Sequence, residues 1–122
     1  MRTEPSHARR GAYIGTTIGD AWWRRYNRHG FLARGSGRYW LDDEGFHFHR
    51  FLTKSPLTIP CGLIAATSLS TWHAGRWGGG APILRVHWRR DGLQLLSGFI
   101  VARDRAGAER VARDIMAFAR GS

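Results

Sequence analysis

The sequence predicts a mainly β protein with one closing helix: about seven short antiparallel strands curled into a partly open barrel, plugged by an amphipathic C-terminal helix. Three observations carry this. Asp91-Gly92 separates two runs of alternating apolar character within residues 81–102, and Asp-Gly between such runs is a strong hairpin signal. Val111, Ala112, Ile115, Phe118 and Ala119 recur at helical spacing behind Asp104, a good N-cap, with Gly121 as the stop. No strand–helix–strand alternation occurs, so a parallel sheet is not expected.

The central hairpin fixes its own register. With Asp91 and Gly92 as the loop residues, Arg90 faces Leu93, Trp88 faces Leu95, Val86 faces Ser97 and Leu84 faces Phe99. Strand side chains alternate, so Leu84, Val86, Trp88, Leu95, Phe99 and Val101 share the inner face. Arg85, His87, Arg89 and Gln94 share the outer one, interrupted by Leu96 and Ile100. A one-residue slip would expose the whole apolar set, which specifies the pairing strongly.

Upstream, residues 1–12 are polar, contain Pro5 and show no period, so they are expected to be a disordered leader before a single domain over 13–122. Ile18, Trp22 and Tyr26 are spaced by four, predicting a short helix over 16–30 that Thr17 or Asp20 would cap and Gly30 would end. Strands follow at 38–41 and 46–52 around an acidic turn, Asp42-Asp43-Glu44-Gly45. Leu57 to Pro60 reads as an edge strand, since Pro60 cannot donate to a ladder. A further strand is expected at about 64–72, then a flexible loop over 73–82 with three consecutive glycines. The barrel thus spans 37–103 and the helix 105–120.

Composition sets outer limits. A chain of 122 residues can bury a core without metal or disulfide staples. Cys61 is the sole cysteine, which fits a reducing compartment and a cytoplasmic setting. No apolar run approaches the ~18–20 residues of a membrane span, and the basic N-terminus has no apolar stretch of the secretory kind. The net charge of +10 invites nucleic acid, anionic lipid or an acidic protein. Only Lys54 among the nineteen basic residues is not Arg, and these residues are dispersed rather than blocked, so base composition of the coding sequence accounts for much of the excess.

The succession G-R-Y-W-L-D-D-E-G-F-H-F-H, L-T-I-P-C-G-L-I-A-A, L-R-V-H-W-R-R-D-G-L, S-G-F-I-V and a final helix resembles bacterial pleckstrin-homology-like (PH-like, GRAM-related) domains over residues 37–120. The resemblance implies a seven-stranded, partly open barrel capped by the helix. It also implies a binding or assembly module for lipids, peptides or copies of itself, with no cofactor. The basic signature of eukaryotic phosphoinositide binders is not reproduced by Arg34, Arg38 and Arg50, so that specificity does not carry over.

No catalytic motif is present, and Gly78-Gly79-Gly80 lacks the Lys-Ser/Thr and helix of a phosphate cradle, so an enzyme is not expected. Cys61 reads as a buried core thiol. His47 and His49 share a strand face and His87 lies on another outer face. Without a closed ligand set they read as exposed sheet histidines rather than a metal site. The candidate contact residues are Trp72, Arg76 and Trp77 around the glycine loop, with Trp22, Trp23, Arg24 and Arg25 upstream, because Trp and Arg are the residues most enriched in binding hot spots. They point to a protein partner or self-association, with anionic lipid or nucleic acid as the alternative.

Overall fold

The computed structural model describes residues 5–121. Its main sheet has seven antiparallel strands in the order β4-β3-β2-β1-β9-β8-β5. These are β1 (Arg9–Ile18), β2 (Gly35–Leu41), β3 (Gly45–Arg50), β4 (Leu57–Pro60), β5 (Ile64–Ser70), β8 (Ile83–Arg90) and β9 (Leu93–Ile100). A two-stranded hairpin, β6 (Trp72–His73) and β7 (Arg76–Trp77), stands apart from it. The sheet does not close: β4 and β5 are its two ends, and α1 (Arg105–Gly121) packs against β5, β3 and the short 3-10 turn Cys61–Leu63 between them.

The central hairpin has the register that alternation demands, with Trp88 opposite Leu95 and Leu84 opposite Phe99. Asp91 and Gly92 take positive φ of 57° and 74°, the two-residue turn whose twist matches the flanking strands. Leu84, Val86, Trp88, Leu95 and Phe99 are buried with Tyr13, Phe46, Phe48 and Ile59 in one core. On α1, Ala108 and Ile115 are fully buried while Val111 and Ala112 pack at the margin. Asp104 caps the helix, its Oδ1 accepting from Gly107 N at 3.1 Å.

The expected helix at 16–30 is absent. Residues 9–18 form β1 instead, so the strand also claims residues 9–12 of the expected leader; residues 1–4 lie outside the described residues. The reason is tertiary. Residues 16–18 complete the ladder with β9, where Thr16 and Thr17 suit an extended backbone. Gly19, at φ 62°, turns the chain, and residues 24–26 return along the free side of β1 through Ile18 N to Arg24 O and Tyr26 N to Thr16 O. The spacing of four is real but is not one face of anything: Tyr26 is buried and Trp22 is exposed.

The returning segment plugs the barrel. Tyr26 and Phe31 are fully buried beside Trp88, with ring centroids 6.4 and 5.2 Å from it. A buried chain of hydroxyls fastens this plug. Trp88 Nε1 donates to Ser97 Oγ at 2.9 Å, Ser97 and Thr16 are 2.6 Å apart, Thr16 and Tyr13 are 2.6 Å apart, and Tyr13 donates to the Phe31 carbonyl at 2.5 Å. An indole can only donate and a carbonyl only accept, so the direction of every intermediate proton follows. Burial drives the Tyr13 phenol well above its ordinary range, which keeps it a donor. The plug is also latched from outside by Tyr26, whose hydroxyl donates to Asp91 Oδ2 at 2.5 Å.

Candidate functional site

The outer face of β1, β9 and β8 is covered in part by the β6–β7 hairpin. His73 is 3 % exposed, and its Nε2 donates to the Gly15 carbonyl at 2.8 Å. Its ring lies directly on Gly98, where a Cβ would stand 2.7 Å from His73 Cγ. Arg34 adds a second tie, donating to the Ala74 carbonyl at 2.6 Å. Trp22 provides a third, its ring 3.1 Å from where a Gly75 Cβ would be. Gly98 is therefore required here for close approach rather than for turning, whereas Gly75, at φ 79°, makes the hairpin turn as well.

This docking gathers the candidate residues into one surface. Trp72 and Trp77 are cross-strand partners, and Trp22 and Trp23 meet edge to face at 5.8 Å. All four are between 58 % and 65 % exposed. A cavity of about 430 Å³ opens between Trp22 and Trp72, lined also by Thr17, Asp20, His73 and Arg85. Arg25 lies beneath Gly15 and donates to the Leu32 carbonyl at 2.7 Å, so its role is to hold the loop. Arg24 and Arg76 are exposed, the first next to Trp23 in the chain and the second next to Trp77 on β7. Among the described residues no carboxylate pairs with Arg24, Arg25, Arg34, Arg76 or Arg85.

Electrostatics follow from that packing. Burial, aided by the charges of Arg85, Arg25 and Arg34, pushes His73 from 6.5 down to about 4, against the opposing effect of its bond to Gly15. Burial also lowers His87. At pH 7 His73 is thus neutral with its proton on Nε2, leaving Nδ1 as a buried acceptor without a partner. Between pH 6.5 and about 4 the unfolded chain takes up a proton that the native His73 refuses, so stability falls as pH falls through that window. The expected loss is up to about 3 kcal/mol. Urea unfolding from about pH 7.5 to about pH 4.5 should show it, and His73→Gln should flatten that slope.

His47 departs from expectation. It is 1 % exposed, not a surface histidine, and stacks on Trp40 at 5.1 Å. Its Nε2 donates to Asp42 Oδ1 at 2.8 Å and its Nδ1 meets Thr58 Oγ1 at 2.9 Å. Asp42, Glu44 and His47 bring ligand atoms within 4.8 Å of one another. Both imidazole nitrogens are already engaged, and Asp42 Oδ1 also accepts from the backbone of Glu44 and Gly45. The cluster clasps the β2–β3 turn. His49 is tied separately to the Thr53 carbonyl and His87 to Ser68, so the three histidines do not converge. Cys61 is buried, and burial raises its thiol above the ordinary value.

Sequence reasoning singled out the tryptophans but not His73, Arg34 and Arg85, which the structure places beside Trp22 or Trp72 or ties to their hairpin. The available signal was Gly98, a glycine inside a β-strand, which marks close approach by another group.

The sequence matches the description "Bacterial PH domain-like" over residues 2–115, nearly its whole length. The chain belongs to that family. Comparison with curated proteins finds no match. As a PH-like domain it carries the fold of a binding module in general terms, with one C-terminal helix over an unclosed seven-stranded sheet. Among the described residues no helix is long and apolar enough to cross a membrane.

Proposed function

We propose that this PH-like domain is a non-catalytic binding module whose contact surface is formed by Trp22, Trp23, Trp72 and Trp77 with Arg24 and Arg76, and that it docks a protein partner bearing carboxylates. The observation that carries the reading is a cavity walled by exposed Trp22 and Trp72 from two distant segments, with Trp23 packed on the first and Trp77 paired across from the second. Exposing that much aromatic surface is costly unless it is used, and contiguous apolar patches on monomers mark interaction sites. Arg24 and Arg76, exposed and without a carboxylate partner among the described residues, favour acidic groups on the partner. A concavity of about 430 Å³ receives a protruding side chain better than it receives a flat bilayer.

The test uses the full chain and Trp22→Ser/Trp72→Ser. A partner cross-linked to the wild type is identified, purified and titrated calorimetrically against both proteins. Loss of two hot spots should weaken binding by roughly a hundredfold or more with the fold intact. Light scattering on both proteins reads self-association. Sedimentation with anionic vesicles and retention on heparin, each falling steeply with salt, read the electrostatic alternative. Unchanged partner affinity in the double variant removes this surface from consideration. Vesicle or heparin binding that alone responds to the tryptophans transfers it to lipid or nucleic acid.

A further inference from the structure

The two ends of the sheet are treated very differently. β4 is four residues long and ends in Pro60, a protected edge. β5 is seven residues long and reads Ile-Ala-Ala-Thr-Ser-Leu-Ser, without a charge, proline or glycine. It pairs only with β8, and among the described residues the backbone of 65–70 makes no hydrogen bond outside that ladder. Such an edge is a template for another strand.

A groove of about 630 Å³ runs between this edge and α1. Thr67, Ser68 and Leu69 all line it. Thr67 and Leu69 oppose the core residues Val86 and Leu84 whereas Ser68 opposes Arg85 on the outer face, so only a channel along the strand's backbone rim can touch all three. The far wall is a stripe of α1 carrying Arg105, Arg113 and Arg120, with Met116 between them. The stripe is ~22 Å long, the span of roughly seven extended residues.

The geometry points to this channel as a docking site for an acidic, extended segment of a partner protein, added to β5 as an eighth strand. Charge selects the occupant. Glu109 is the one acidic side chain lining the groove and is spent on Arg105 at 3.2 Å, while Arg113 and Arg120 have no ion pair among the described residues. A second copy pairing edge to edge about a two-fold axis would set one arginine stripe against the other, which like-charge repulsion disfavours. Backbone pairing along β5 would give affinity, the arginines would select carboxylates, and Met116 with Leu69 would receive an apolar side chain at the alternate position. This inference is independent of the tryptophan surface.

The probe is a labelled peptide of about seven alternating Glu and Val residues, read by fluorescence polarisation and by amide exchange. Arg113→Glu/Arg120→Glu should weaken it at least about tenfold. Methylating alternate backbone nitrogens of the peptide, which keeps its charge, should weaken it about tenfold in the one register that pairs with β5. Amides of 65–70 should gain protection, and Trp22→Ser/Trp72→Ser should bind the peptide as the wild type does. Equal affinity of both methylated registers would reduce the effect to diffuse charge attraction and overturn strand addition. Protection at 72–77 instead of 65–70, or displacement of the peptide only by anionic vesicles, overturns it as well.

Discussion

Gly98→Ala is expected to lift the β6–β7 hairpin off the sheet and abolish partner binding while the barrel stays folded. Gly98 has ordinary backbone torsions, so the effect is purely steric. The new Cβ would stand 2.7 Å from His73 Cγ, a distance that real contacts do not tolerate, and 3.0 Å from Nε2. His73 is fixed by its bond to Gly15 and cannot slide within the sheet. The hairpin must therefore rise, breaking that bond and separating Trp72 and Trp77 from Trp22. Overpacking of this kind costs about 1–3 kcal/mol. Far-UV circular dichroism should be retained, partner affinity lost, and the acid-side stability slope of His73 lost with it, since an exposed imidazole titrates alike in both states. Adding His73→Ser should recover the stability without the binding. Wild-type affinity in Gly98→Ala would show that the hairpin's seat on the sheet is irrelevant to docking.

The largest stability effect is expected from Trp88→Ala, at about 3–5 kcal/mol. Trp88 is 1 % exposed at the meeting of Phe31, Tyr26 and the central hairpin. Truncation leaves a large cavity and also strips Ser97 of the donor at the head of the hydroxyl chain that ends on Phe31. Against a typical domain stability of about 5–15 kcal/mol this is a large fraction, so the variant should unfold at a much lower urea midpoint. Trp88→Phe keeps most of the volume but not the donor, and should cost about 1–3 kcal/mol. Hydrogen exchange in both variants should rise first in residues 26–31. A cost for Trp88→Ala near that of a surface change would mean that the plug is not held from this side.

Much of the barrel was legible because its signals are local. Asp91-Gly92 names a turn type, the turn sets the register, and alternation then assigns each side chain to a face. The C-terminal helix was equally legible from Asp104 and the spacing of Val111, Ile115 and Phe118, although Phe118 sits at the helix end and is 38 % exposed rather than buried. The N-terminal segment misled for a physical reason. A spacing of four describes a helix only if nothing offers the backbone better partners, and here β9 offers residues 16–18 a complete ladder.

The histidines show the same limit from the other side. Alternation correctly put His47 outside the barrel, yet outside was not solvent. Trp40, Thr58 and the Asp42 turn close over it. His73 carried no signal of its own at all, since its burial depends on a glycine twenty-five positions away.

The sequence alone determined the strand pairing of the central hairpin, the closing helix and which aromatic and basic residues were available for contact, because each of those depends on neighbours within a turn or two of chain. Only the tertiary structure decided that residues 19–31 return to plug the barrel, that β5 is left open beside the arginine stripe of α1, and that Trp22 joins Trp72. Those facts rest on contacts between elements that are not neighbours in the chain, such as Tyr26 with Trp88 and β5 with α1, where packing and chain connectivity choose among partners that local pattern cannot rank.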